Sequence, residues 1–267
     1  MGLDFSNKCV VVSGGAHGIG RALAERFAAA GGRVVVADLH AERAGRVAER
    51  IGGHAVYCDV GSVDGVNALV AEAVAAFGPV DVFCSNAGIT DLGDGLASTP
   101  EQIERITMIN MLSHVWAAQA VVPTMVERGG GHLVQTLSSA ALITGPAPMG
   151  YSMAKHGALG FAEWVQLNYA HKGIKVTCLC PNVVNTGMMG RNEDDPSTAE
   201  LAHNLGLGEV VEPETCADHV FAAMEEGRFL ALPHPVVGES FQRKASDYDR
   251  WLEGTNRRIR RMQGEEV

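Results

Sequence analysis

The chain has 267 residues, 46% apolar and 19% charged, with a net charge of −10. This suits one α/β domain with a sizeable core, and the acidic balance argues against a general nucleic-acid or anionic-membrane binder. No apolar run approaches the roughly 18 residues of a membrane span, and the first eight residues lack a basic-then-apolar secretory pattern, so a cytoplasmic location is expected.

Apolar runs alternate with helical patterns along the chain. Residues 9–12 are an apolar run that stops at Gly14-Gly15, and 21–30 have helical spacing with Leu23 and Phe27 at i, i+4. A second run covers 34–37, a helix 41–51 ends at Gly52-Gly53, and 54–58 is a third strand. The helix 63–77 stops at Gly78-Pro79, and 80–85 is a fourth strand. Thr99-Pro100-Glu101-Gln102 reads as a helix start, with Thr99 as N-cap and Gln102 reaching back, and that helical region runs toward Arg128 before Gly129-Gly130-Gly131. Residues 132–137 are a fifth strand, 151–171 a helix closed by Gly173, and 174–180 a sixth strand ending at Pro181. Residues 214–226 read as a helix and 229–232 as a short last strand.

Strands without polar alternation are buried on both faces, as in a parallel sheet. Right-handed crossovers then give a Rossmann-type, doubly wound α/β sheet with helices on both faces. We expect residues 1–235 to form the dinucleotide-binding and catalytic body and 236–267 a helical C-terminal extension of it.

Between Arg243 and Arg261 that extension holds seven basic residues against three acidic ones. It reads as a solvated amphipathic helix with Trp251 and Leu252 packing inward, or else as a subunit contact or a cover over the active site. The six cysteines form no C-x-x-C and read as buried, reduced thiols. The ten histidines show no H-E-x-x-H pattern, so no metal site is expected.

Ser13-Gly14-Gly15-Ala16-His17-Gly18-Ile19-Gly20 follows the first strand and opens the first helix. Missing side chains let backbone approach a pyrophosphate, and the helix N-terminus offers N–H groups and a positive dipole end. The strand–turn–helix setting gives this turn more weight than glycines alone. Asp38 ends the second strand, where a carboxylate can accept the adenine-ribose hydroxyls and repel a 2′-phosphate. No Arg or Lys occupies 16–20 or 37–40. The cofactor expected is NAD rather than NADP; Asp38 could also cap the helix that starts at Ala41, and the two roles could coexist.

With these features the chain resembles the single-domain short-chain dehydrogenase/reductase family from Leu3 to about Leu232. The family's Thr-Gly-x-x-x-Gly-x-Gly is matched with Ser13 for Thr, and its adenine-holding Asp-Val by Asp59-Val60. Its Asn-Ala-Gly is matched by Asn86-Ala87-Gly88, its helix Asn by Asn110, and its Tyr-x-x-x-Lys by Tyr151 and Lys155. Its Pro-Gly-x-x-x-Thr appears as Pro181-Asn182-Val183-Val184-Asn185-Thr186, with Asn for Gly. Asn tolerates left-handed backbone angles, so the turn could survive, and it could add a polar group near the substrate.

Oxidising an alcohol removes the hydroxyl proton as hydride leaves carbon. Tyr151 and Lys155, at i, i+4, share a helix face, so Lys155 is expected to lower the Tyr151 pKa toward the working range. The resemblance implies that Lys155 also bonds the nicotinamide ribose and that Asn110 relays protons to it through water. It implies a serine holding the substrate oxygen. Family spacing of thirteen residues before the tyrosine selects Ser138, whereas the Ser-Ser-x-Ala-Gly string would select Ser139. Pro181, Val184 and Thr186 are expected to line the nicotinamide.

Substrate specificity should lie in loops 90–98, 142–150 and 187–208, where Leu92, Leu142, Ile143, Met149, Val183, Met188 and Met189 suggest an apolar secondary alcohol or ketone. Residues 187–208, with Glu193, Asp194 and Asp195, read as a lid. The first reading is an NAD-dependent alcohol dehydrogenase or ketone reductase. The second is a non-catalytic NAD(H)-sensing protein on the same fold, and the third an epimerase or dehydratase. The resemblance implies a homo-oligomer, usually a tetramer, and a small-molecule substrate with no nucleic-acid or membrane partner.

Overall fold

The computed structural model describes residues 3–90, 95–189 and 209–265. The first half alternates β1 (Cys9–Ser13), α1 (Gly18–Ala29), β2 (Arg33–Asp38), α2 (Ala41–Ile51), β3 (His54–Tyr57), α3 (Val63–Phe77) and β4 (Val80–Ser85). The second half continues with α4 (Pro100–Thr107), a π turn (Met108–Leu112), α5 (Ser113–Glu127), β5 (Gly131–Thr136), α6 (Met149–Tyr169) and β6 (Ile174–Leu179). Then come β7 (Val183–Val184), β8 (Val210–Val211), α7 (Pro213–Glu226), β9 (Leu230–Ala231), α8 (Pro235–Ser246) and α9 (Tyr248–Met262).

Seven strands pair in parallel in the order β3-β2-β1-β4-β5-β6-β9, the doubly wound sheet expected. Val10, Val12, Val34, Val36, Cys84 and Val134 point to one face, where Leu23 and Phe27 of α1, Val47 of α2 and Val220 of α7 cover them. Val11, Val35, Phe83, Leu133 and Cys178 point to the other, against Leu69 of α3, Val121 of α5 and Leu159 of α6. Two-sided burial is why these strands carry nearly unbroken Val runs. The strand order reverses between β1 and β4, and the crevice outside their carboxyl ends is where open α/β sheets bind ligands.

Several elements depart from the sequence reading. α1 begins at Gly18, because its first turn is built from the glycines themselves. The helical region after Thr99 is broken in the middle by the π turn. β7 and β8 form a separate two-stranded pair. The tail forms two helices, and Leu252 does not pack inward: it is 47% exposed and no described residue of α9 is buried. α9 carries Trp251 only half-buried, its ring beside Lys244. All six cysteines are free and buried. Among the described residues, no helix is long and apolar enough to cross a membrane.

Candidate active site

The glycine turn is bound to the end of β4 through Ser13. Its hydroxyl donates to the Cys84 carbonyl at 3.2 Å and accepts from the backbone N–H of Asn86 at 3.0 Å and Ala87 at 3.2 Å. Asn86 Nδ2 donates back to the carbonyls of Ser13 at 3.0 Å and Gly14 at 3.3 Å. A Cβ on Gly14, which has φ +65°, would lie 2.8 Å from Ala87 Cα, and one on Gly20 would lie 2.0 Å from the Gly14 carbonyl oxygen. Glycine is therefore required at both positions. Thr186 closes the turn from the opposite side, its Cγ2 3.0 Å from where a Cβ on Gly18 would sit.

His17 takes the N-cap of α1 without a side-chain capping bond, and no acidic residue lies in the first turn. Ile19 follows in that turn, half-buried. The positive end of the helix dipole lies at this turn and favours an anion there. Asp38 is buried at the end of β2, where Oδ2 accepts from Ala16 N at 3.1 Å and Oδ1 from His40 N at 2.9 Å. The N-cap of α2 is His40, so Asp38 does not cap that helix. Each carboxylate oxygen has two lone pairs, which leaves capacity for further hydroxyl donors. Past β3, Asp59 accepts from Gly61 N at 2.9 Å, and Val60 is buried. A glycine cradle without room for side chains, a helix N-terminus opening from it and a strand-end carboxylate fit a dinucleotide.

The second cluster lies at the carboxyl ends of β4 and β5. Asn110 is fully buried in the π turn. Its Oδ1 accepts from Ile89 N at 2.9 Å, and its Nδ2 donates to the Ile89 carbonyl at 2.8 Å. A Cβ on Gly88 would lie 3.3 Å from Asn110 Oδ1 and 3.8 Å from Lys155 Nζ, so these three residues meet. Lys155 is buried on α6, and its Nζ donates to the Thr136 carbonyl at 2.9 Å. Burial pushes its pKa down to about 8. Tyr151 lies one turn earlier, with Lys155 Nζ 5.7 Å from the ring centroid. The expectation that Lys155 lowers the Tyr151 pKa is not met. Desolvation raises the phenol, and the lowering contribution is a hydrogen bond with Ser138.

The two adjacent serines have different partners. Ser138 lies beside Tyr151, where its hydroxyl opposes the rise of the phenol pKa, and its Oγ accepts from Ala140 N at 3.1 Å. Ser139 Oγ instead donates to Asn182 Oδ1 at 3.3 Å, and its N–H donates to the buried Pro181's carbonyl at 2.7 Å. Asn182 does not adopt left-handed angles: among the described residues Asn7 is the one non-glycine with positive φ. Its turn leads into β7, where Val184 pairs with Val211.

Two histidines escaped the sequence reading. His114, four residues after Asn110, is fully buried, bonds Gln135 through Nδ1 and is held neutral, its pKa pushed down to about 3 mainly by burial. Its spacing from Asn110 was the available signal. His234 joins the turn at Asn182 and had no local signal. Leu142 is core rather than loop surface, while Met188 is 42% exposed. Leu92, the acidic run Glu193, Asp194 and Asp195, and residues 190–208 lie outside the described residues, as does the side chain of Met189.

The family model described as short chain dehydrogenase matches residues 8–197. The chain belongs to the short-chain dehydrogenase/reductase family. This is an oxidoreductase family. Among similar proteins is the 2,5-dichloro-2,5-cyclohexadiene-1,4-diol dehydrogenase of Sphingobium indicum, 36% identical over 201 residues, covering 74% of this chain and 80% of that protein. Momilactone A synthase of Oryza sativa is 31% identical over 235 residues, covering 84% and 86%. A short-chain dehydrogenase/reductase of Burkholderia phymatum, solved in complex with NAD, superposes with a TM-score of 0.81 at 27% identity, covering 92% of this chain and 96% of that one.

Proposed function

We propose that this family member is an NAD-dependent dehydrogenase that interconverts a secondary alcohol and a ketone, with an apolar substrate. The observation that carries the reading is the grouping of Ser138 and Tyr151 one helical turn from buried Lys155, at the strand ends that face the glycine turn. NAD, when bound, supplies the hydride acceptor. Tyr151 takes the hydroxyl proton of the alcohol, or returns it to the ketone. Ser138 holds the substrate oxygen and the developing charge. Lys155 holds the nicotinamide ribose, and the Ser138 hydroxyl is the group that favours the phenolate. The Asn110 side chain is committed to Ile89, so its part in a water relay falls to its main-chain carbonyl.

Asp38 supports NAD over NADP, because a buried carboxylate at the β2 tip repels a 2′-phosphate. Gly14, Gly18 and Gly20 with His17 and Ile19 receive the pyrophosphate, Asp59-Val60 the adenine, and Pro181, Val184 and Thr186 the nicotinamide. Asn86-Ala87-Gly88 walls the site between them. The same reading takes the chain as a homo-oligomer, since α6 exposes Trp164 and Leu167, the latter at 80%. Its two relatives named as a diol dehydrogenase and momilactone A synthase support an apolar cyclic substrate.

The test is a panel of apolar secondary alcohols, with sugars and hydroxy acids as controls, offered with NAD and with NADP while reduced nicotinamide is followed by absorbance. Turnover of the apolar alcohols with NAD supports the proposal. Turnover of the sugars or carboxylates alone, or with NADP alone, contradicts it.

A further inference from the structure

The C-terminal extension and the residue just ahead of it reach both loops of the candidate site. His234, buried between β9 and α8, accepts the N–H of Asn182 at its Nδ1 and donates from Nε2 to the Val183 carbonyl, both at 3.1 Å. Ten residues later Lys244, also buried, donates from Nζ to the Leu142 carbonyl at 2.9 Å, its ammonium 5.2 Å from the Trp251 ring. Val237, between them on α8, is buried in the same core cluster as Leu142. The segment 138–142 carries Ser138, and the segment 181–186 carries Val184 and Thr186. Ser139 ties the two loops through Asn182 and Pro181.

The family glycine is replaced by Asn182, and the turn does not use a positive φ. Bonds from outside the turn define its geometry instead. Ser139 takes the Asn182 side chain, and His234 takes the Asn182 N–H and the Val183 carbonyl in opposite senses. An imidazole can do this with one ring, because its neutral form has one acceptor and one donor nitrogen. The residues so held lead into the strand that pairs Val183 with Val210 and Val184 with Val211.

We propose that His234 is a positioning residue for the nicotinamide end of the cofactor site, setting residues 182–184 from the segment that leads into the C-terminal extension. The inference rests on the dinucleotide reading above. It concerns one half of that site, so the two can be tested apart by comparing NAD with ADP-ribose, which lacks the nicotinamide.

The experiment is calorimetric titration of the full chain with each ligand, using wild type, His234→Phe and His234→Gln. Removing both bonds with Phe is expected to weaken NAD about tenfold while ADP-ribose stays within about twofold. Gln, which carries an acceptor and a donor on one amide, is expected to recover most of the loss. Should Phe fail to fold, His234→Asn keeps an acceptor near Nδ1 and loses the donor to Val183, and its NAD affinity is expected to fall about threefold with ADP-ribose unchanged. Equal weakening of both ligands, or no weakening of NAD in a folded variant, overturns the proposal. Wild type that binds neither ligand overturns the dinucleotide reading and the proposal with it.

Discussion

Replacing Lys155 with Met should give a protein that is more stable near neutral pH and inactive. The Lys155 side chain is buried, and burial moves its pKa from 10.5 down to about 8. For a base, a lowered folded-state pKa means that the unfolded chain holds the proton more tightly. Stability therefore rises with pH between about 8 and 10.5, and below about 8 the full cost of the buried ammonium is present. At about 1.4 kcal/mol for each pKa unit, that cost is about 3 kcal/mol. Met removes it but leaves the Thr136 carbonyl without its 2.9 Å donor, a loss of about 1 kcal/mol. The net gain is about 2 kcal/mol, or roughly 4–8 °C in Tm for a chain of this size. Urea and thermal unfolding without added dinucleotide, at about pH 7 and again above about pH 10, would measure it. The advantage should shrink or reverse at the higher pH. A Met variant less stable at neutral pH, or a difference that ignores pH, refutes the reasoning.

Three further outcomes follow from the same geometry. Ser138→Ala should lower turnover roughly 100-fold, since Ser138 lies beside Tyr151, while Ser139→Ala should stay within about fivefold; steady-state kinetics of the pair would show the reverse if the wrong serine has been assigned. Ser13→Ala leaves the N–H groups of Asn86 and Ala87 unpaired in a buried seam and should cost about 2–3 kcal/mol, whereas Ser13→Thr, which keeps the hydroxyl, should cost under about 1 kcal/mol by denaturant titration. Asp38→Ala removes the carboxylate that repels a 2′-phosphate and should shift the NAD-to-NADP preference in kcat/KM by at least about tenfold toward NADP; an unchanged ratio would show that Asp38 does not read the ribose.

Much of the sheet was legible because its punctuation is local. The bounds of α2 and α3 coincide with their apolar spacing, since Gly52 and Gly78, both with positive φ, end them. The capping box at Thr99 and Gln102 forms as its spacing suggests. The π turn was not legible, because helical periodicity carries no mark of one extra residue, and the Asn110 amide within it bonds Ile89, 21 residues away in sequence. The two-residue strands β7 and β8 are too short for any period to register. In the candidate site, the residue types and spacings singled out Ser138, Tyr151, Lys155 and Asn110, and the structure gathers them at the strand ends. The charge balance of the pair was misjudged, because burial of Tyr151 depends on packing that sequence spacing does not show. His234 was invisible for a similar reason: its bonds reach a turn about 50 residues earlier.

The central claim is that Tyr151 is the proton-transferring group in hydride exchange with NAD. It is tested most directly by Tyr151→Phe, with NAD binding by calorimetry measured beside NAD reduction on the best alcohol of the panel. The Phe variant should bind NAD within about threefold of wild type and lose turnover by a factor of about 100–10,000, the usual range for general acid–base catalysis. A Phe variant that still reduces NAD at a rate near that of wild type would contradict the claim.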